Sequence, residues 1–336
     1  MMGRADCLSV WGNCLLPCIL AGDDKQLQPT VKAGKIKTLD DHPVNRHEGD
    51  ATLSPLLFLK ASGWPVYRLT VQLRMANGQF DLCHKLVYPD VPIVYGKFSD
   101  INLPRHEPGR SLEAYAVRRF PGIKPSPEGK LLPIFIHCDG SFTWRDAESL
   151  SKINYGQIET ALDLLVDLVV KYPSLDLSSI ALISPYKANV ASLDRKLKKD
   201  PKYTILAGIQ EPKTVDSFQG REGDIVMLVM GTTAFSGPGF TRDEYRLNVM
   251  LSRQRSGLVI VSDINTIDTG KETGKGKPKG KDKRPVFKIK GEGGKIVFGR
   301  GTMLHDLHKG LKDLGRVVTV VIAKDKGRDK ENATDN

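Results

Sequence analysis

Four short polar clusters hold most of the chemistry this sequence can offer. They are GDDKQLQP at Gly22 to Pro29, QLRM at Gln72 to Met75, VDSFQGREGD at Val215 to Asp224, and RLNVMLSRQR at Arg246 to Arg255. Each follows or opens an apolar run. Acids, amides and arginines bind and orient charged ligands, and the arginine fork donates paired hydrogen bonds while keeping its proton. Taken singly, each cluster has a plainer meaning: an amide in a turn, an arginine on a solvated face, a glycine turn, an amphipathic helix. Position gives them weight, because in a parallel sheet the residues at strand C-termini and helix N-termini collect in one crevice.

The elements that must hold these clusters follow from periodicity. Pro17 to Ala21 is a short apolar run bounded by turn residues, which fits a buried strand stopping at Gly22. Leu53 to Ala61 reads as a short helix and Val66 to Val71 as a strand. Tyr88 to Lys130, rich in proline and glycine, reads as a surface excursion ahead of a strand at Leu132 to His137. From there strand and helix alternate: a helix at Tyr155 to Lys171, a strand at Ile180 to Ile183, a helix at Asn189 to Lys199, a strand at Ile225 to Met230, a helix at Asp243 to Arg253 and a strand at Leu258 to Val261. Alternation of this kind predicts an α/β fold, a parallel sheet with helices on both faces. On the helix Asp243 to Arg253, Arg246 and Arg253 lie seven apart and share a face. Arg255 does not, and reads as solvated or packing.

Together and in this order the clusters resemble the superfamily 1B helicases, the up-frameshift-like group that includes the nonsense-mediated-decay type, over about Gly3 to Asp263. The resemblance implies RecA-like P-loop NTPase domains that hydrolyse ATP with Mg2+ and move on single-stranded RNA or DNA. It places Gln26 at the terminal phosphate and makes Arg74 and Arg253 arginine fingers, with Asp23, Gly220, Glu222 and Arg246 beside the nucleotide. Phosphoryl transfer is catalysed mostly by positioning and by cations that offset charge on the transferring phosphate, which explains the residue types. SPYKANVASL at Ser184 to Leu193 resembles the segment that meets the sugar-phosphate backbone, and implies Tyr186, Lys187 and Ser217 as nucleic-acid contacts. A plainer reading keeps Tyr186 as a cap on the sheet.

Departures from that pattern are mild at Gln28, Asn189, Ser252, Gln254 and Arg255. The larger one is that GxxxxGK followed by Ser or Thr occurs nowhere in the 336 residues, and Gly294 to Gly301 has only the glycine spacing. The acidic segment that holds Mg2+ in the family is missing as well, so no metal ligands are expected. These features predict a remnant of a first RecA-like domain and connection (1–62), a complete second domain (63–267), a basic linker (268–290), a helix-strand extension (291–323) and a charged tail (324–336). The expected role is the finger-bearing half of a helicase, partnered by an upstream first RecA-like domain and inactive alone. The alternative is a non-catalytic module that binds nucleic acid or regulates.

Composition agrees with a nucleic-acid partner and excludes little else. The formal charge is +11 with a pI near 9.3, and 18 of the 50 Lys and Arg but only 9 of the 39 Asp and Glu lie from Gly270 onwards. The basicity is therefore mostly a property of the tail, where GKETGKGKPKGKDKR is low-complexity and free of aromatics. Five scattered cysteines, including Cys14 and Cys18, form no CxxC pair and favour a reduced intracellular setting, cytoplasmic or nuclear. No run is long enough to span a membrane.

Overall fold

The runs at Ile134–Asp139, Ile180–Ser184, Gly223–Val229 and Gln254–Ser262 are crowded with Ile, Val and Leu. That composition suits strands covered on both faces. A computed structural model describes residues 7, 19–31, 37–38, 40–42, 44–146, 149, 151–267, 287–290, 296–299 and 301–322. It divides into two compact units, one up to Thr70 and one from Val71. Cys14, Cys18, the basic run 270–284 and the tail 324–336 lie outside the described residues.

The first unit contains α1 (Glu48–Ala51) and α2 (Pro55–Ala61). The second helix starts where its sequence says it should: the Ser54 hydroxyl accepts from the Leu57 amide at 3.1 Å, and Pro55 takes the first helical position. Of the strand expected at Pro17 to Ala21, Ile19 to Ala21 are described, and they carry no strand. Ile19 is 94% exposed. An apolar run becomes a strand only by pairing, and among the described residues no ladder partner stands beside it.

The second unit runs β1 (Val71–Gln72), α3 (Asp81–Val87), β2 (Val94–Tyr95), α4 (Glu107–Arg119), β3 (Ile134–Asp139), β4 (Trp144–Arg145), β5 (Lys152–Ile153), α5 (Tyr155–Lys171), β6 (Ile180–Ser184), α6 (Lys187–Lys199), β7 (Lys213–Thr214), β8 (Gly223–Val229), α7 (Glu244–Met250), β9 (Gln254–Ser262), β10 (Phe287–Lys290), β11 (Ile296–Gly299), α8 (Thr302–Asp313) and β12 (Val317–Val321). Six strands form one parallel sheet in the order β12-β3-β9-β8-β6-β7. The pairs β1 with β2, β4 with β5 and β10 with β11 stand apart from it. On one face, Leu112, Tyr115 and Ala116 of α4 and Ile158, Leu162 and Leu165 of α5 pack on Ile134, Ile136, Met227 and Val259. Phe135 points the other way, and its ring meets His308 of α8 at 5.3 Å.

Three sequence expectations need correction. The strand at Val66 to Val71 shrinks to Val71–Gln72, because only Val94–Tyr95 pairs with it, and Tyr67 and Leu69 stay exposed. The excursion at Tyr88 to Lys130 contains α4, a 13-residue helix. Pro108 and Gly109 made that stretch read as loop, yet proline in a first turn loses no hydrogen bond. Gly109 is needed there for closeness, since a Cβ would lie 2.4 Å from the Ser256 carbonyl oxygen on β9. The third correction is that the helix expected at Asp243 to Arg253 ends at Met250. The chain must turn at Leu251 to Arg253 so that Gln254 can enter β9 opposite Gly223. Arg253 therefore shares no helix face with Arg246.

Candidate functional site

Within the second unit the candidate residues gather in two places, not in one crevice, and those of the first unit are described by themselves. In the first unit, Asp23 organises its own loop: its carboxylate accepts from the Lys25 amide at 2.9 Å and from Gln26 Nε2 at 3.0 Å. Beside it Asp24 pairs with Lys60 of α2. The loop is an Asx-type turn with its amide tied to its own acid, which fixes Gln26 without any strand in front of it.

In the second unit one group sits where β8 and β9 begin. Arg74 Nε donates to Glu222 Oε2 at 2.7 Å and Nη1 donates to the Ser252 carbonyl at 2.9 Å. The Gln72 side-chain oxygen accepts from the Arg74 and Met75 amides at 2.8 and 3.3 Å, so the second cluster is a turn held by its own glutamine. Arg253 is 2% exposed, and its Nη2 donates to the Ser252 hydroxyl at 2.8 Å. Two guanidinium groups thus converge on one serine, from segments 178 residues apart in sequence. Arg255, read as solvated or packing, lies 2.7 Å from Asp224 and 3.8 Å from Glu222. Glu222 faces two cations. Gly220 precedes it at φ +83 with open space where a Cβ would be, so that position requires glycine for backbone conformation alone.

The other group lies at the opposite, carboxyl end of the strands. Arg246, in the first turn of α7, makes a forked pair with Asp216, Nε to Oδ1 at 3.0 Å and Nη2 to Oδ2 at 3.1 Å. Its amide is capped by Asp243 at 3.0 Å and its guanidinium lies 5.0 Å from the Phe240 ring centroid. Ser217 is exposed and bonds back to Thr214, hydroxyl to hydroxyl at 2.8 Å. Lys187 is exposed at the start of α6. Tyr186 is buried: it stacks on Phe240 at 5.3 Å and its hydroxyl accepts from the Phe240 amide at 3.0 Å. Burial pushes that phenol up to about 12, so it stays protonated throughout the physiological range. Phe240 itself is 51% exposed, with Tyr186 stacked on its ring and the Arg246 guanidinium over it. Sequence reasoning missed Phe240, Asp216 and the Arg255 pairing; the only available signal was an aromatic in a glycine-proline turn and acids inside a quoted cluster.

The donor set has clear limits. Among the described residues, no three His, Cys, Asp or Glu side chains come together as a group able to hold a metal ion. Arg74 is half-exposed, so an oxyanion reaching it would have to displace Glu222, whereas Arg253 is buried. That exchange is cheap, because half-exposed ion pairs are worth about 0–1 kcal/mol. Among the described residues no helix is long and apolar enough to cross a membrane.

A family model described as an AAA domain matches residues 53–265. Helicase sen1 of Schizosaccharomyces pombe is 28% identical over 257 residues, covering 75% of this chain and 13% of its own length. The mouse DNA-binding protein SMUBP-2 is 27% identical over 275 residues, covering 76% of this chain and 24% of its own. Regulator of nonsense transcripts 1 of Dictyostelium discoideum is 28% identical over 271 residues, 76% of this chain and 18% of its own. The chain therefore spans only 13% to 24% of the length of these relatives.

Proposed function

This chain belongs to the AAA domain family in its superfamily 1B helicase type, and from that premise we propose that its second unit is the finger-bearing half of an ATP-driven motor working on single-stranded RNA or DNA. Arg74 and Arg253 bring positive charge to a triphosphate held elsewhere, with Glu222 and Gly220 at the nucleotide's edge. The nucleotide supplies the phosphoanhydride bond. This chain's residues orient it and offset charge on the phosphate as the bond breaks. Gln26, on its Asp23-pinned loop, reads the terminal phosphate, while Ser217, Lys187 and the surroundings of Tyr186 face the nucleic-acid strand.

One observation carries the reading: the convergence of Arg74 and Arg253 on Ser252, at 2.9 and 2.8 Å, from two distant segments. The second reading, a nucleic-acid-binding module without turnover, is favoured by the exposed Ser217 and Lys187 at the carboxyl ends of the strands. One experiment separates them. The chain alone should show no ATP turnover. Fused to a segment carrying the GxxxxGK motif and acidic metal ligands, it should become an ATPase that loses roughly a thousandfold or more with Arg74→Ala or Arg253→Ala. Lysine should rescue neither position, lacking the fork. A fusion whose turnover survives both alanine changes refutes the finger assignment and leaves the module reading.

A further inference from the structure

The carboxyl ends of the parallel strands carry apolar rings that the fold leaves in water. Phe142 and Trp144 follow β3 and Phe235 follows β8; they are 49%, 39% and 60% exposed. They also touch one another. Phe142 is the hub, 4.9 Å from Trp144 edge to face and 6.2 Å from Phe235 with 30° between the ring planes. Scattered surface rings need no explanation, but three in contact form a patch of the kind that marks a binding site.

The loops under the rings are braced. Lys152 of β5 donates to the Ser236 and Gly237 carbonyls at 2.8 Å each, which pins the loop carrying Phe235. The Asp263 carboxylate accepts from the Ala234 amide at 2.7 Å on its other side. The Thr143 hydroxyl, between the other two rings, donates to the Gly231 carbonyl at 3.2 Å. Rings held on tied loops lose little freedom when a ligand arrives.

Charge around the patch identifies the ligand. Arg145 follows Trp144 on β4 and is exposed, as are Arg242 and Lys187 on neighbouring loops at the same end of the sheet. The Arg246 guanidinium lies 5.0 Å from the Phe240 ring centroid, and Arg242 belongs to the same short turn as Phe240. An apolar protein partner would be matched by rings alone. Rings interleaved with arginine and lysine suit a ligand with flat apolar faces on an anionic chain.

We propose that Phe142, Trp144 and Phe235 form a stacking platform for the bases of a single-stranded nucleic acid, with Arg145 and Lys187 beside it to take phosphates. The proposal rests on the reading that this domain engages a single strand, and it adds where the bases are held. Stacking tolerates any base, so the platform grips without reading sequence.

The test uses the whole chain with Trp11 and Trp64 replaced by phenylalanine, leaving Trp144 as the only tryptophan of the three. Oligo(dT), oligo(rU) and an abasic strand of equal length are titrated at several salt concentrations. Both base-bearing strands should quench Trp144 and the abasic strand should not. Phe142→Ala and Phe235→Ala should each weaken the base-bearing strands about 5- to 150-fold at every salt concentration, as expected for one stacked base. The slope of log affinity against log salt should hold, because no phosphate contact is lost. Phe235→Trp should restore binding and exclude misfolding as the cause. Salt-dependent binding that is the same for the ring variants and the abasic strand overturns the platform while leaving the proposed function standing. No binding of any strand overturns both. Ring variants that alter only self-association in sedimentation make the patch a protein interface and overturn the platform too.

Discussion

Replacing Arg316 by alanine should cost the second unit about 3–5 kcal/mol, the range for breaking a buried pair and stranding its partner. The side chain is 0% exposed and every one of its five N–H groups has a partner. Nη1 and Nη2 fork onto Glu113 of α4 at 3.0 and 2.6 Å, and the same two nitrogens reach the Lys124 carbonyl at 2.7 Å and the Leu132 carbonyl at 3.2 Å. Nε donates to the Pro133 carbonyl at 3.3 Å. Alanine would orphan three carbonyls and leave Glu113 with only the Ser126 amide, at 2.7 Å, to hold its charge. For a unit of this size that cost lowers the melting midpoint by roughly 6–20 °C, at ~2–4 °C per kcal/mol. Urea unfolding should give the free energy. Arg316→Lys should fall between, since three donors replace five, and Arg316→Met with Glu113→Ala should recover part of the loss by removing the stranded charge. A loss under about 1 kcal/mol for Arg316→Ala would mean the pair is bystander packing. The outcome matters beyond one side chain, because Arg316 leads into β12, which extends the sheet past residue 265, where the family match ends.

Two further outcomes follow from close contacts. Gly109→Ala should destabilise by about 1–3 kcal/mol, because its Cβ would meet the Ser256 carbonyl oxygen at 2.4 Å and force α4 off β9; an unchanged urea midpoint would show that the helix can shift freely. Burial, with Lys312, His305 and His137 nearby, pushes the His308 imidazole down to about 3. Its folded value is thus depressed below the unfolded one, so the stability it carries is fully present above about pH 6.5 and is lost as pH falls toward 3. His308→Leu should lose less stability than wild type between pH 7 and pH 5; parallel losses would refute the assignment.

Much of the fold was legible because four strands each carry an apolar run of three to five residues and α5 has an unbroken stripe, with Ile158, Ala161, Leu162 and Leu165 all buried. Patterns of that kind are decided within the segment. What failed was decided between segments. Whether Val66 to Val71 or Ile19 to Ala21 forms a strand depends on a partner, and α4 was hidden because Pro108 and Gly109 signal a turn locally while Gly109 serves contact with β9. The end of α7 was hidden for the same reason: Leu251 to Arg253 continue its pattern, yet Gln254 is claimed by the ladder with Gly223.

The candidate site shows the same division at a larger scale. The residue types were readable, but the single crevice expected from strand C-termini was not what the chain builds. Glu222 and Arg253 each stand just before a strand, β8 and β9, so they lie at its amino end with Arg74. Ser217, Tyr186 and Lys187 follow β7 and β6, at the carboxyl end. Arg246 stands in the first turn of α7, after β8 has ended, and Arg253 stands in the turn that enters β9 beside Gly223. Spacing of seven on a presumed helix put them on one face; the turn at Leu251 to Arg253 takes Arg253 off it. The two groups are thereby kept apart at the two ends of the strands of one sheet. Arg74→Ala and Phe142→Ala should for that reason be independent in strand affinity, adding within about 0.5 kcal/mol as distant sites do.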